Sequence, residues 1–276
     1  ELLEDPEIEC IDICVPTRYH HGIAIRALQN GKHVFCEKPL SSSLDEAREI
    51  QTVAHETGRV MMVGFLQRFH PAFREVRRVL DTDVIGAPHL AIFRVGGRGD
   101  HAAWKHQRGV GGGVVPEMLV HKLDQIVWFL GAVTDVNVMS ASTMMAERKI
   151  QGKNEVVDAE DYIVLELKAG GATVLCEADF VTPGYMDYLE LQGENGSVFS
   201  SLLHYMPTIV FCKEGRGGYE SGNNMAHYPE ENLFALELEH FISAVGEGQN
   251  AVNTVEDSLH VMEIVEEIGR QTGGSH

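Results

Sequence analysis

Glu37-Lys38-Pro39 follows directly on the apolar run His33-Val34-Phe35-Cys36, so an acid, an amine and a rigid ring stand together at the end of a buried strand. Pro39 fixes its own backbone and holds Lys38 extended, which puts the amine on a stiff mount. Open α/β folds take their ligands at the carboxyl ends of their strands. A lysine there can stabilise a developing alkoxide by charge, or act as a base if burial lowers its proton affinity. The plainer alternative is that Glu37 and Lys38 are surface charges at a strand end.

A second group with chemical potential lies past Gly111-Gly112-Gly113. The segment 115–130 reads as a helix with Pro116 tolerated in its first turn. Within it Glu117, His121 and Asp124 are four and three residues apart and share one face. Imidazole has the unperturbed proton affinity that a base working near neutral pH requires. On this spacing alone, His121 would be an ordinary structural histidine. The pattern expects a strand end and a helix face to meet over one pocket.

The elements needed for that meeting are legible. An apolar β-branched run over 8–15 is stopped by Pro16 and reads as a parallel strand. A helix over 19–30 ends at Asn30-Gly31. Strand 33–36, helix 43–58 and strand 59–65 follow, with Ser43 and Glu46 in capping-box positions and Gly58 at the helix end. Strand, helix, strand, helix, strand implies right-handed crossovers and a parallel sheet. A dinucleotide-binding half would start earlier, with a glycine-rich turn. Its absence before Glu1 suggests an incomplete N-terminal unit.

Helix 68–80, strand 90–95 and a loop over 96–108 lead to the helix carrying His121. Beyond Gly131 come alternating stretches at 133–140, 161–167, 173–180, 188–192, 196–203 and 208–213. Turn signals such as Thr182-Pro183-Gly184 and Glu194-Asn195-Gly196 separate several of them. Helices over 234–246 and 255–270 close the chain. The fold class is therefore α/β plus α+β: a partial Rossmann-type parallel sheet over 1–66, then a domain over 67–276 with a large, mainly antiparallel open sheet.

Composition narrows the functions. The 276 residues carry 41 acids against 22 bases, a formal net charge of −19 that argues against nucleic acid as partner. Five cysteines with no CxxC pair read as reduced, buried thiols of a cytoplasmic protein. No stretch is long and apolar enough to span a bilayer. His101, His106, His204 and His227 have no HExxH-type spacing, so no metal is expected. The tail ending in His276 is small and polar and stays outside the fold argument.

Four strings together resemble the Gfo/Idh/MocA oxidoreductases, named for glucose-fructose oxidoreductase and inositol dehydrogenase. They are Val15-Pro16-Thr17-Arg18-Tyr19-His20, Gly31 through Pro39, Gly64 through Pro71, and Gly111-Gly112-Gly113 leading to His121-Lys122-Leu123-Asp124. The resemblance runs from Ile8 to the last helix. It implies NAD or NADP as cofactor, held near Pro16, Thr17, His20, Glu37 and Lys38, with the Lys38-Pro39 peptide commonly cis. His20 reads equally as a helix-start residue.

The resemblance further implies Lys38 and His121 as the catalytic pair, and Glu117, Asp124 and Lys38 about the substrate. Lys105 stands where members often have arginine, and also reads as a solvated loop lysine. Glu117 replaces the usual aspartate and Leu119 a usual glycine, which reshapes the pocket. The expected activity is oxidation of a hydroxyl on a sugar, sugar nucleotide or cyclitol, by a homo-oligomer assembled through the C-terminal sheet. The alternatives are an NAD-dependent glycoside hydrolase on the same scaffold, or a non-catalytic dinucleotide-binding regulator.

Overall fold

The computed structural model describes residues 2–100, 102–110, 112–248 and 251–273. Gly111, His101 and the tail Gly274-Ser275-His276 lie outside the described residues. The first half holds β1 (Cys10–Ile13), α1 (His20–Gln29), β2 (His33–Glu37), α2 (Leu44–Thr57) and β3 (Met61–Gly64). The three strands form a parallel sheet in the order β1-β2-β3. A turn of tight helix at Thr17–Tyr19 carries the chain from β1 into α1. At α2 the Ser43 side chain accepts from Glu46 N, Glu46 Oε2 accepts from Ser42 N, and Gly58 ends the helix at φ 62°.

The next elements are α3 (Pro71–Asp81), β4 (Pro88–Gly96) and α4 (Val120–Leu130). The sequence predicts an unbroken α-helix over 115–130, but its first turn, Val115–Leu119, is wound as a π-helix before α4 begins. Widened turns of this kind are frequent at functional sites because they redirect side chains and carbonyls.

Then follow β5 (Val133–Ser142), β6 (Glu147–Ile150), β7 (Lys153–Val156), β8 (Tyr162–Ala169), β9 (Ala172–Asp179), β10 (Met186–Gly193), β11 (Gly196–Ser201), β12 (Thr208–Cys212) and β13 (Gly222–Ala226). Eight strands make one sheet in the order β13-β12-β11-β10-β4-β9-β8-β5, antiparallel except where β4 runs beside β9. The β6–β7 hairpin and β13 escape the sequence pattern. Glu147-Arg148-Lys149-Ile150 is mostly charged, and Gly222-Asn223-Asn224-Met225-Ala226 has no β-branched residue. Both are strands because of their partners.

One face of the large sheet buries Phe93, Leu165, Val174, Leu189, Val198 and Val210, and α3, α4 and the last helix pack on it. The other face is open among the described residues. There Met225, Ile209, Phe199, Glu190, Ile92, Leu175 and Glu166 lie opposite one another across seven strands.

α5 (Leu233–Glu247) and α6 (Val255–Thr272) complete the chain. They return to the first sheet: Phe241 meets Phe35 at 5.9 Å between ring centres, and Asn253 Nδ2 donates to Val63 O at 2.9 Å. A parallel sheet is apolar on both faces and needs two covers. Here α1 and α2 pack together as one, and the end of the chain supplies the other. α6 also lies against α4 and β5, joining the halves. No helix of the described residues is long and apolar enough to cross a membrane.

Candidate active site

Lys38 leaves the end of β2 through a cis peptide to Pro39. Its Nζ donates to Glu117 O at 3.1 Å and Pro116 O at 3.4 Å, both in the widened first turn. The amine thus bridges from the first sheet to the helix that carries His121. Burial lowers its proton affinity, Lys105 lowers it further, and Glu117 and Glu37 oppose. Glu37 is half-buried and accepts from Lys38 N; burial raises its pKa against the pull of Lys38.

His20, the first residue of α1, is 1% exposed. Its Nδ1 lies 2.9 Å from Pro39 O and its Nε2 2.7 Å from Val15 O, so the ring braces the ends of β1 and β2 against each other. Pro16 is exposed and Thr17 half-buried beside it. Cys14, expected to be a buried thiol, is exposed and donates to Asp12 Oδ1.

His121 lines a cavity of about 420 Å³ walled by Val95, Met118, Phe180 and Leu202. Its ring stands edge-on to Phe65 at 6.4 Å. The Nδ1 atom is buried without a hydrogen-bond partner among the described residues. Burial drives its pKa well below 6.5, helped by the charges of Lys38, Lys122 and Lys105. The imidazole is therefore neutral at pH 7 and able to accept a proton. Lys38 does not itself line this cavity; it is bonded to the carbonyls of the turn, and its charge acts on the ring from there.

Glu117 also lines the cavity, with Oε2 2.6 Å from Lys105 Nζ. Lys105 in turn lies over the Trp104 ring at 5.4 Å. Tight glycine contacts bring this loop in. A Cβ on Gly112 would fall 2.3 Å from Trp104 O, and one on Gly113, at φ +129°, 2.4 Å from Glu160 Oε1. Gly113 N donates to Lys105 O at 2.8 Å. Lys105 thus lines the cavity paired to Glu117 rather than standing as a solvated loop lysine.

The structure does not bring Asp124 to the cavity. It is 1% exposed and held by Arg68, whose Nε and Nη2 reach it at 3.1 and 2.7 Å. Arg68 also pairs with Asp257 at 2.8 Å and donates to Val252 O. Burial pushes Asp124 up to about 6 against the pull of Arg68, which leaves it ionised at neutral pH. Asp124 lies less than one turn beyond His121 on α4, and its pairing with the buried Arg68 holds it in the core instead of the cavity.

A further buried network backs the cavity. Lys122 and Asp187, both fully buried, pair at 2.6 Å. Lys122 also donates to Gln125 Oε1, and Gln125 Nε2 to Gln67 Oε1. Gln67 and Tyr185, both reaching Asp187 Oδ2 at 3.4 Å, belong to the cavity wall. Sequence reasoning missed these residues along with Arg68. The one available signal was Gln67-Arg68 inside an otherwise apolar string.

Residues 1–65 match the family model for oxidoreductases with an NAD-binding Rossmann fold, and residues 73–199 the GFO/IDH/MocA C-terminal domain. The chain is 30% identical over 270 residues to scyllo-inositol 2-dehydrogenase (NAD(+)) of Bacillus subtilis, an alignment covering 96% of this chain and 75% of that protein. The chain belongs to the GFO/IDH/MocA oxidoreductase family. Myo-inositol 2-dehydrogenase of Thermotoga maritima is 26% identical over 258 residues, covering 93% of this chain and 75% of the relative.

A solved structure of levoglucosan dehydrogenase in complex with NADH and levoglucosan superposes with a TM-score of 0.87 at 22% identity, covering all of this chain and 80% of the other. That likeness establishes the shared fold. Of the two dinucleotides left open by the sequence, NAD is the one in the family description.

Proposed function

We propose that the chain is a cytosolic NAD-dependent dehydrogenase acting on a ring CH–OH of a sugar or cyclitol, the class to which its inositol relatives belong by name. The observation that carries the reading is a neutral imidazole lining a cavity, its buried Nδ1 without a partner among the described residues, on a helix whose first carbonyls hold a lysine amine.

The residues present suit the nicotinamide end of a dinucleotide. Val15 and Tyr19, at the carboxyl end of β1, are 39% and 50% exposed, leaving apolar surface for a planar ring to cover. Pro16, Thr17, Glu37 and Lys38 would hold it there, with His20 fixing the backbone beneath. The bound dinucleotide supplies the hydride acceptor. His121 takes the hydroxyl proton, and the charge of Lys38, held at the Pro116 and Glu117 carbonyls, stabilises the alkoxide as it forms. Glu117, fixed by Lys105, accepts from a neighbouring substrate hydroxyl.

The open sheet face, with its row of apolar side chains, is the surface through which a homo-oligomer would assemble. Catalysis is tested with Lys38→Met and His121→Ala in the full natural protein, following NADH formation on a panel of inositols and sugars and folding by circular dichroism. Each variant should lose at least about 100-fold in kcat/KM while keeping its fold. Parent-level turnover in both would overturn the assignment.

A further inference from the structure

In a chain with 41 acids and 22 bases, the cavity around His121 reverses the balance. The charged residues lining it are Arg98, Lys105 and Glu117. Lys105 is neutralised by Glu117 at 2.6 Å, while the amine of Lys38 is bonded to carbonyl oxygens. The Arg98 guanidinium has no carboxylate or carbonyl partner among the described residues. Arg98 is exposed to solvent where it lines the cavity, so its guanidinium is open to a ligand.

Arg98 stands on a braced backbone. Its carbonyl accepts from Arg148 Nη1 at 3.1 Å, and Arg148 is itself held by Phe180 O at 2.5 Å and Asp161 at 2.9 Å. On either side, Gly97 N donates to Asp179 O at 3.1 Å, and Gly99 O lies 3.1 Å from His106 Nε2. Through Arg148, the β6–β7 hairpin therefore fixes the backbone that carries Arg98 into the cavity lining. A guanidinium so placed matches the paired oxygens of a carboxylate or phosphate.

We infer that the substrate is an anionic carbohydrate, bearing a carboxylate or phosphate monoester that Arg98 takes while a ring hydroxyl lies at His121. The inference rests on the dehydrogenase reading for the hydroxyl and on Arg98 alone for the anion.

The test uses the full natural protein and its Arg98→Gln variant. Turnover with NAD is measured on D-glucuronate and D-galacturonate, on D-glucose 6-phosphate, and on the neutral D-glucose and myo-inositol. Calorimetric binding of the same compounds is measured with NADH saturating. At least one anionic arm should exceed the neutral compounds by about tenfold or more in kcat/KM. Arg98→Gln should cost that arm about 10–100-fold and leave neutral compounds within about twofold. The carboxylate and phosphate arms tell the two sources of charge apart.

Preference for neutral sugars, or an equal loss on both kinds in the variant, overturns the inference and leaves the dehydrogenase standing. Arg98-dependent binding of an anionic sugar with no NADH formed upholds the anion site and sinks the redox reading. Absence of both binding and turnover across the panel sinks both.

Discussion

Replacing Glu237 with glutamine should make stability less dependent on pH, by an amount the structure sets. Glu237 lies on α5, is 1% exposed, and accepts from Asn253 Nδ2 at 3.3 Å. Burial, and then the charges of Glu37, Asp124 and Asp12, raise its pKa from 4.5 to about 8. The folded state therefore keeps a proton that the unfolded chain gives up. The stabilisation is fully present below pH 4.5 and is lost progressively as pH rises to about 8. At 1.36 kcal/mol per unit, a gap of about 3.5 units amounts to about 5 kcal/mol, and local relaxation trims this to about 3–5 kcal/mol.

The amide introduced by Glu237→Gln would keep an acceptor for Asn253 and carry no charge. Urea unfolding of the parent and Glu237→Gln at pH 5, 7 and 9 should show nearly equal stabilities at pH 5 and an advantage to the variant of about 3–5 kcal/mol at pH 9. Burial is the first cause of the shift and Glu37 only the second, so Glu37→Gln should recover less than half of that gain. A difference between parent and Glu237→Gln that stays constant from pH 5 to 9 would refute the reasoning.

Because the pKa of His121 lies well below 6.5, its protonation should not reduce kcat/KM as pH falls from 8 to 6.5, and the loss should come only at more acidic pH; a steady-state pH profile reads this. Arg68→Met strands Asp124 as an unpaired buried charge and should cost about 3–5 kcal/mol, whereas Arg68→Met with Asp124→Leu should regain most of it in urea titrations. Gly112→Ala pushes a methyl against Trp104 O; it should destabilise by at least about 1 kcal/mol and raise KM more than it lowers kcat, by displacing Lys105. Phe199→Lys on the open sheet face should lower the mass seen by light scattering if that face joins copies of the chain, leaving the monomer fold unchanged by circular dichroism.

Much of this molecule could be read locally. The run of β-branched residues before Pro16, the caps of α2, and the proline after Lys38 act over a few residues through backbone restriction and side-chain period. They determined the order of elements, the parallel first sheet, and the placement of Lys38 at a strand end and His121 on a helix. The order and spacing of four such strings were enough to indicate the family.

What the sequence could not determine depended on groups far apart along the chain. Helical spacing puts Asp124 beside His121; Arg68, from another element, decides that it belongs to the core. Lys105 comes to line the cavity because Gly112 and Gly113 let the loop close on Glu117. α5 and α6 look like an appendage of the second half, yet they return to cover a face of the first sheet. Burial and pairing are properties of the packed whole, and they alone decide which of several plausible polar residues stays free to do chemistry.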